Sequence, residues 1–130
     1  MKFLCLICAE RTMEQLPSAD AEKHFDDYAE FTKEIRESGH FIGCNRLVPP
    51  REAVTIRVRQ GKISATDGPY VETKEQFGGY YLIEAKDMEE AIQVAARIPG
   101  AWIGSVEVRQ VAEDEKTLRA LGFLAPETAR

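Results

Sequence analysis

No apolar run in the sequence approaches the roughly 20 residues that cross a bilayer as a helix, so no membrane-spanning helix is expected. Positive charge is not in excess either: 17 Lys+Arg stand against 22 Asp+Glu, a formal net charge of −5. That balance argues against a nucleic-acid partner, which normally meets a basic face. Histidine is scarce, with only 2 in the chain, and no His/Cys cluster has the spacing of a zinc site. There is no P-loop, no GxGxxG and no nucleophile elbow. The Gly78-Gly79 pair precedes a strand pattern rather than a helix, so it is not a phosphate cradle. Neither a metal nor a cofactor is expected.

Cysteine is also sparse. Three residues, Cys5, Cys8 and Cys44, make an odd count, and free thiols are expected. Cys5 and Cys8 have CxxC spacing but lie in a strand pattern, where residues three apart point to opposite faces. They are therefore read as packing residues, not as a metal or redox pair. The apolar N-terminal stretch is cut short by Glu10-Arg11. It is too short for a signal segment with a cleavage site, and a cytoplasmic location is the expectation.

What remains is a chain of 130 residues, 44% hydrophobic and 30% charged, the balance of a globular rather than a disordered protein. At this length one domain buries roughly two-thirds of its unfolded surface and needs no disulfide or metal staple. Residues 2–9 are apolar on both faces and predict a covered strand. Ser18 is placed to open a helix, and Ala21, Phe25, Tyr28, Phe31 and Ile35 recur at helical spacing until Gly39. A second strand spans 41–48, closed by Pro49-Pro50. Val54, Ile56 and Val58 alternate with Thr55, Arg57 and Arg59, and Gln60-Gly61 turns this strand back through 62–65 as a hairpin. Asp67, Gly68 and Pro69 are turn residues, and 71–76 reads as an irregular loop. A strand over 77–84 opens on the glycine pair, which suggests a bulge or a close backbone approach. Asp87 with Glu90 caps a second helix, stopped at Pro99-Gly100. A last strand spans 105–111, and Leu118, Leu121 and Phe123 suggest a short helix in the tail.

The order β-α-β-β-β-β-α-β predicts an α+β fold, a ferredoxin-like sandwich with an inserted β-hairpin. Two helices cover one face of a sheet. Because the strands at 2–9 and 80–83 are apolar on both faces, a second copy of the chain is expected to cover the other, making a homodimer.

The stretch Thr66-Asp67-Gly68-Pro69-Tyr70, continued by Val-Glu-Thr-Lys-Glu-Gln-Phe-Gly-Gly-Tyr-Tyr-Leu-Ile-Glu84, resembles the DGPF-domain proteins of the YCII-related family. Asp87-Met-Glu-Glu-Ala91, Ile98-Pro99-Gly100 and Ser105-Val-Glu-Val-Arg109 resemble that family too. Tyr70 replaces the usual Phe, keeping the ring and adding a hydroxyl. The resemblance covers 1–111 and leaves 112–130 as a tail. It implies a fold of the dimeric α/β-barrel group and a possible link to extracytoplasmic-function sigma factors. Some YCII-related proteins carry a His–Asp pair proposed as catalytic. Here Tyr28 falls near the histidine position, His24 lies one turn earlier, and Ile98-Pro99-Gly100 has no acid where the aspartate is expected. That dyad is not carried over.

Among the residues themselves, Asp67 has two readings: a general base or ligand anchor facing a cleft, or a turn former that accepts backbone N–H bonds. His24 can exchange a proton near neutral pH or simply sit on an exposed helix face, and His40 reads as a junction residue. His24 and Tyr28 share one helix face. Arg46, Arg57, Arg59 and Lys62 are suited to a carboxylate or phosphate, or form a solvated strand face. The candidate catalytic set is Asp67, His24 and Tyr28; the candidate ligand-binding set is Tyr70, Gly68, Arg46 and Gly79. Three readings follow, one of them a purely structural dimer. Another is a small cofactor-free enzyme acting on a small polar molecule. The third is a non-catalytic module that senses a small ligand or contacts a protein such as a sigma factor.

Overall fold

The apolar run at the N-terminus becomes an inner strand of the sheet, with a neighbour on each side. In a computed structural model, which describes residues 1–11, 13–69 and 74–126, the strands are β1 (Lys2–Ala9), β2 (Phe41–Arg46), β3 (Val54–Arg59), β4 (Lys62–Asp67), β5 (Gln76–Glu84) and β6 (Ser105–Gln110). The helices are α1 (Ser18–Glu37), α2 (Met88–Ala95), α3 (Gly100–Ile103) and α4 (Glu115–Ala120), with 3-10 turns at Met13–Gln15 and Pro50–Glu52. The main sheet has the order β2-β5-β1-β6 and all its pairings are antiparallel. Among the described residues, β3 and β4 pair only with each other. The fold is α+β. No helix among the described residues is long and apolar enough to cross a membrane.

The period of two in β1 sends Phe3 and Cys5 into the core, where both are fully buried with Ile83 and Tyr81 of β5. Phe31 and Ile35 of α1 and Ala91, Val94 and Ala95 of α2 close over them. Leu4, Leu6 and Leu82 point the other way and are half-buried. Cys5 and Cys8 lie on opposite faces, as strand periodicity requires. Burial pushes the Cys5 thiol up to about 11, and burial with nearby Glu75 and Glu107 raises Cys8. Both thiols therefore stay protonated at neutral pH.

Several boundaries differ from the sequence reading, each for a local reason. The N-cap of α1 is Pro17, not a bonded Ser18 side chain. β2 stops at Arg46, although Leu47 N–H still donates to Gly78 O. Asp67 is the last residue of β4, paired with Val54, because the hairpin returns two residues further than Ala65. Pro99 does not only stop a helix. It precedes the short helix α3, a place suited to proline's fixed φ and missing N–H. Asp87 caps α2 as expected, its side chain accepting from Glu90 N–H at 2.9 Å.

Where β5 begins, the register slips: Ile7 faces Gly79 while Cys8 faces Phe77, leaving Gly78 as the extra residue of a bulge. The hairpin turns through Gln60 (φ 53) and Gly61 (φ 75), both left-handed, as a two-residue turn demands. Its orientation is unexpected. Thr55 and Arg57 are half-buried, whereas Val54, Ile56, Val58 and Ile63 are 57%, 57%, 56% and 77% exposed. At the other end of the molecule, Ser38 Oγ and Glu90 Oε1 flank His40, at 2.6 Å from Nδ1 and 3.0 Å from Nε2. This chain ties the end of α1 to α2 and gives His40 a junction role.

Candidate functional site

A cleft of about 220 Å³ opens between the first half of α1, the bulged start of β5, the end of β2 and α3. Its walls are mostly apolar, with Ile7, Phe25, Tyr81 and Ile103 among them. Four residues expected at a site reach it: His24, Tyr28, Arg46 and Gly79. Asp67 and Gly68 do not line it. Asp67 is exposed at the end of β4, and Gly68 holds the hairpin base, its N–H donating to Ala53 O at 2.7 Å and its C=O accepting from Thr55 Oγ1 at 2.9 Å. Tyr70 lies outside the described residues.

His24 and Tyr28 are one helical turn apart, so their rings meet. The centroids are 4.9 Å apart in an edge-to-face arrangement. Burial is the main influence on His24 and lowers its pKa; Asp27 opposes this and Lys23 adds to it. The imidazole is therefore neutral at pH 7. Its ring nitrogens make no hydrogen bond to a described residue, so one remains free to accept a proton.

Tyr28 is held by more distant parts of the chain. Its ring stacks on Tyr81 at 6.3 Å and 3°. Its hydroxyl oxygen accepts from the Gly100 backbone N–H at 3.0 Å. Burial pushes the phenol up to about 12, with the Gly100 bond pulling down and Tyr81 pushing further up. The hydroxyl thus keeps its proton, and that proton has no acceptor among the described residues. Thr32 fixes the platform beneath: its hydroxyl donates to Tyr28 O at 2.7 Å, which leaves Tyr81 Oη to donate to Thr32 Oγ1, also at 2.7 Å.

Two glycines are needed for this geometry. A Cβ on Gly100 would lie 2.6 Å from Tyr28 Oη and 2.5 Å from Ile7 Cγ2. A Cβ on Gly79 would lie 2.8 Å from the Asn45 carbonyl oxygen, so the glycine lets β2 pass close to β5 at the cleft wall. The role of Gly100 was hidden in the sequence because its partner, Tyr28, is 72 residues away. The only hint was a Pro-Gly pair, which reads as a stop.

The charge of the cleft is one-sided. Arg11 and Arg46 line it, and no Asp or Glu does among the described residues. The Arg46 guanidinium lies 5.4 Å from the Phe25 ring centroid. Among the described residues, no three His, Cys, Asp or Glu side chains gather to hold a metal ion.

Comparison with known proteins gives the chain a family. It is 37% identical over 93 residues to "Uncharacterized protein R00369" of Rhizobium meliloti (strain 1021), covering 70% of this chain and 75% of that protein. The YCII-related domain matches residues 1–115, which include the whole of the sheet, α1 to α3 and the cleft between them, and the chain belongs to the YCII-related family.

Proposed function

We propose that the cleft binds a small, largely apolar carbonyl compound and moves a proton on it without a cofactor. The observation that carries this reading is the Tyr28–Gly100 hydrogen bond beside a neutral His24. His24 accepts a proton from the carbon next to the carbonyl. The C–H electron pair moves into the C–C bond, and the carbonyl π pair moves onto oxygen. The Tyr28 hydroxyl, anchored by the Gly100 amide, donates to that developing oxyanion. Return of the proton to oxygen completes a keto–enol tautomerisation and restores neutral imidazole. Asp67, outside the lining, has the structural part at the hairpin base.

The test uses phenylpyruvate and its methyl ester as probes of keto–enol exchange. Wild-type protein is expected to accelerate at least one. Tyr28→Phe keeps the ring stack but removes the donor, and should slow the reaction on the order of 10²-fold. Acceleration of neither probe, or a Tyr28→Phe variant as fast as wild type, sinks the reading. A second reading rests on the same apolar walls and on Asp67 standing outside them: a ligand-sensing module linked to an extracytoplasmic-function sigma factor. It predicts binding in the cleft without turnover.

We also infer a DGPF-type member, on Asp67-Gly68-Pro69, and a ferredoxin-like arrangement of the dimeric α/β-barrel group. The order β2-β5-β1-β6, with α1 and α2 packed on one face, supports the latter. A homodimer is the simplest cover for the exposed Val54, Ile56, Val58 and Ile63 stripe and for the Leu4, Leu6 and Leu82 face. Sedimentation at micromolar concentration should give twice the monomer mass, and a clean monomer would refute it.

A further inference from the structure

The geometry points to a ligand that carries a carboxylate, seated at the cleft by Arg46 with Arg11. This inference rests on the cleft being the binding site, and it adds the substrate class. Acids outnumber bases in the chain, 22 to 17, yet the described cleft lining reverses that balance: two arginines and no carboxylate.

Two acids beside lining residues are engaged elsewhere. Glu10, beside Arg11, is 3.1 Å from Lys74 Nζ. Glu75, beside the lining residue Gln76, accepts from Ser105 Oγ at 2.8 Å. Arg11 has no ion pair with a described residue. Arg46 lies near the ring of Phe25, itself a wall of the cleft, so the ring restricts the guanidinium and places it where an apolar body and an anionic end can be held together. A planar guanidinium matches a carboxylate in a two-pronged hydrogen bond. The volume of about 220 Å³, roughly that of seven waters in the liquid, limits the occupant to about one ring and a short chain. That size leaves room for one charged end and not for a nucleotide.

Binding of phenylacetate and phenylacetamide to the full chain, followed by NMR, separates charge from shape and involves no proton transfer. Phenylacetate should bind at least ~10-fold more tightly than the amide, and rising salt should narrow the gap. Arg46→Gln should abolish the preference, and Arg11→Gln should reduce it. Both arginines are exposed, so folded variants are expected, and the NMR spectrum itself checks this. Equal binding of acid and amide overturns the inference while leaving the proton-transfer reading to its own assay. Binding of neither, or a preference untouched by both substitutions, also overturns it. Displacement of phenylacetate by inorganic phosphate at equal concentration would reassign the cations to a phosphate and overturn the carboxylate assignment. If phenylacetate binds as expected but phenylpyruvate is never tautomerised, the anion site stands and the catalytic reading falls.

Discussion

His24→Gln is expected to slow proton transfer in the cleft by about 10²–10⁴-fold, the usual contribution of a positioned acid–base group. Glutamine fills much of the same space and remains polar, but it has no nitrogen that takes a proton near neutral pH. The wild-type pH profile should carry the signature of the same residue. Burial disfavours the imidazolium, so its pKa in the folded protein lies below 6.5. Asp27 works against this shift, Lys23 works with it, and Tyr28, protonated up to about 12, adds no charge. The base form therefore predominates at pH 7, and activity should fall as pH drops through that lowered value. Stability follows the same sign. The unfolded chain takes up the proton more readily, so the His24 contribution is intact above 6.5 and is lost as pH falls through the folded value. Phenylacetate binding should survive the substitution, because His24 is not the anion anchor. A rate that rises from pH 7 to 9, or a His24→Gln variant with unaltered turnover of phenylpyruvate, would remove His24 from the chemistry.

The parts of this structure that could be read from the sequence are those governed by neighbours in the chain. The cap at Asp87, the turn at Gln60-Gly61 and the meeting of His24 with Tyr28 all depend on residues one to four positions apart. Alternation at Val54, Ile56 and Val58 announced a two-faced strand, but periodicity does not say which face is turned inward. Here the polar face is the less exposed one, with Thr55 bonding to Gly68 O at the hairpin base. The start of α3 was missed because a Pro-Gly pair serves equally to end one helix and to begin another. The site was half legible. His24, Tyr28, Arg46 and Gly79 reach one cleft, whereas Asp67 stays at the hairpin base because β4 continues to it. The amide that orients Tyr28 belongs to Gly100, and only the packing of α3 against α1 and β1 brings the two together.

The glycines at the two ends of α3, Gly100 and Gly104, should separate folding from function. A Cβ on Gly104 would strike the carbonyl oxygen of Cys8 and lie 3.0 Å from both Cα and Cβ of Ala9. Two of these are main-chain atoms at the end of β1 and the third, Ala9 Cβ, is bonded directly to the main chain; Cys8 is paired with Ser105 in β6, the residue after Gly104. The obstacle cannot rotate away; relief requires opening the β1–β6 ladder beside the cleft. Gly104→Ala is therefore expected to cost about 3 kcal/mol or more, at the upper end of overpacking. This would appear as a large drop in the urea midpoint with little change in slope. Gly100→Ala meets a different obstacle. Its Cβ would press on the ends of two side chains, Tyr28 Oη and Ile7 Cγ2, which can shift for about 1–2 kcal/mol. Tyr28 must then leave the Gly100 amide, so the folded variant should lose proton transfer at least as severely as Tyr28→Phe. A Gly104→Ala protein as stable as wild type would show that β1 and the end of α3 are not packed as described. A Gly100→Ala protein with full activity would show that the amide does not set the Tyr28 hydroxyl, and the oxyanion donor would have to be sought elsewhere in the cleft.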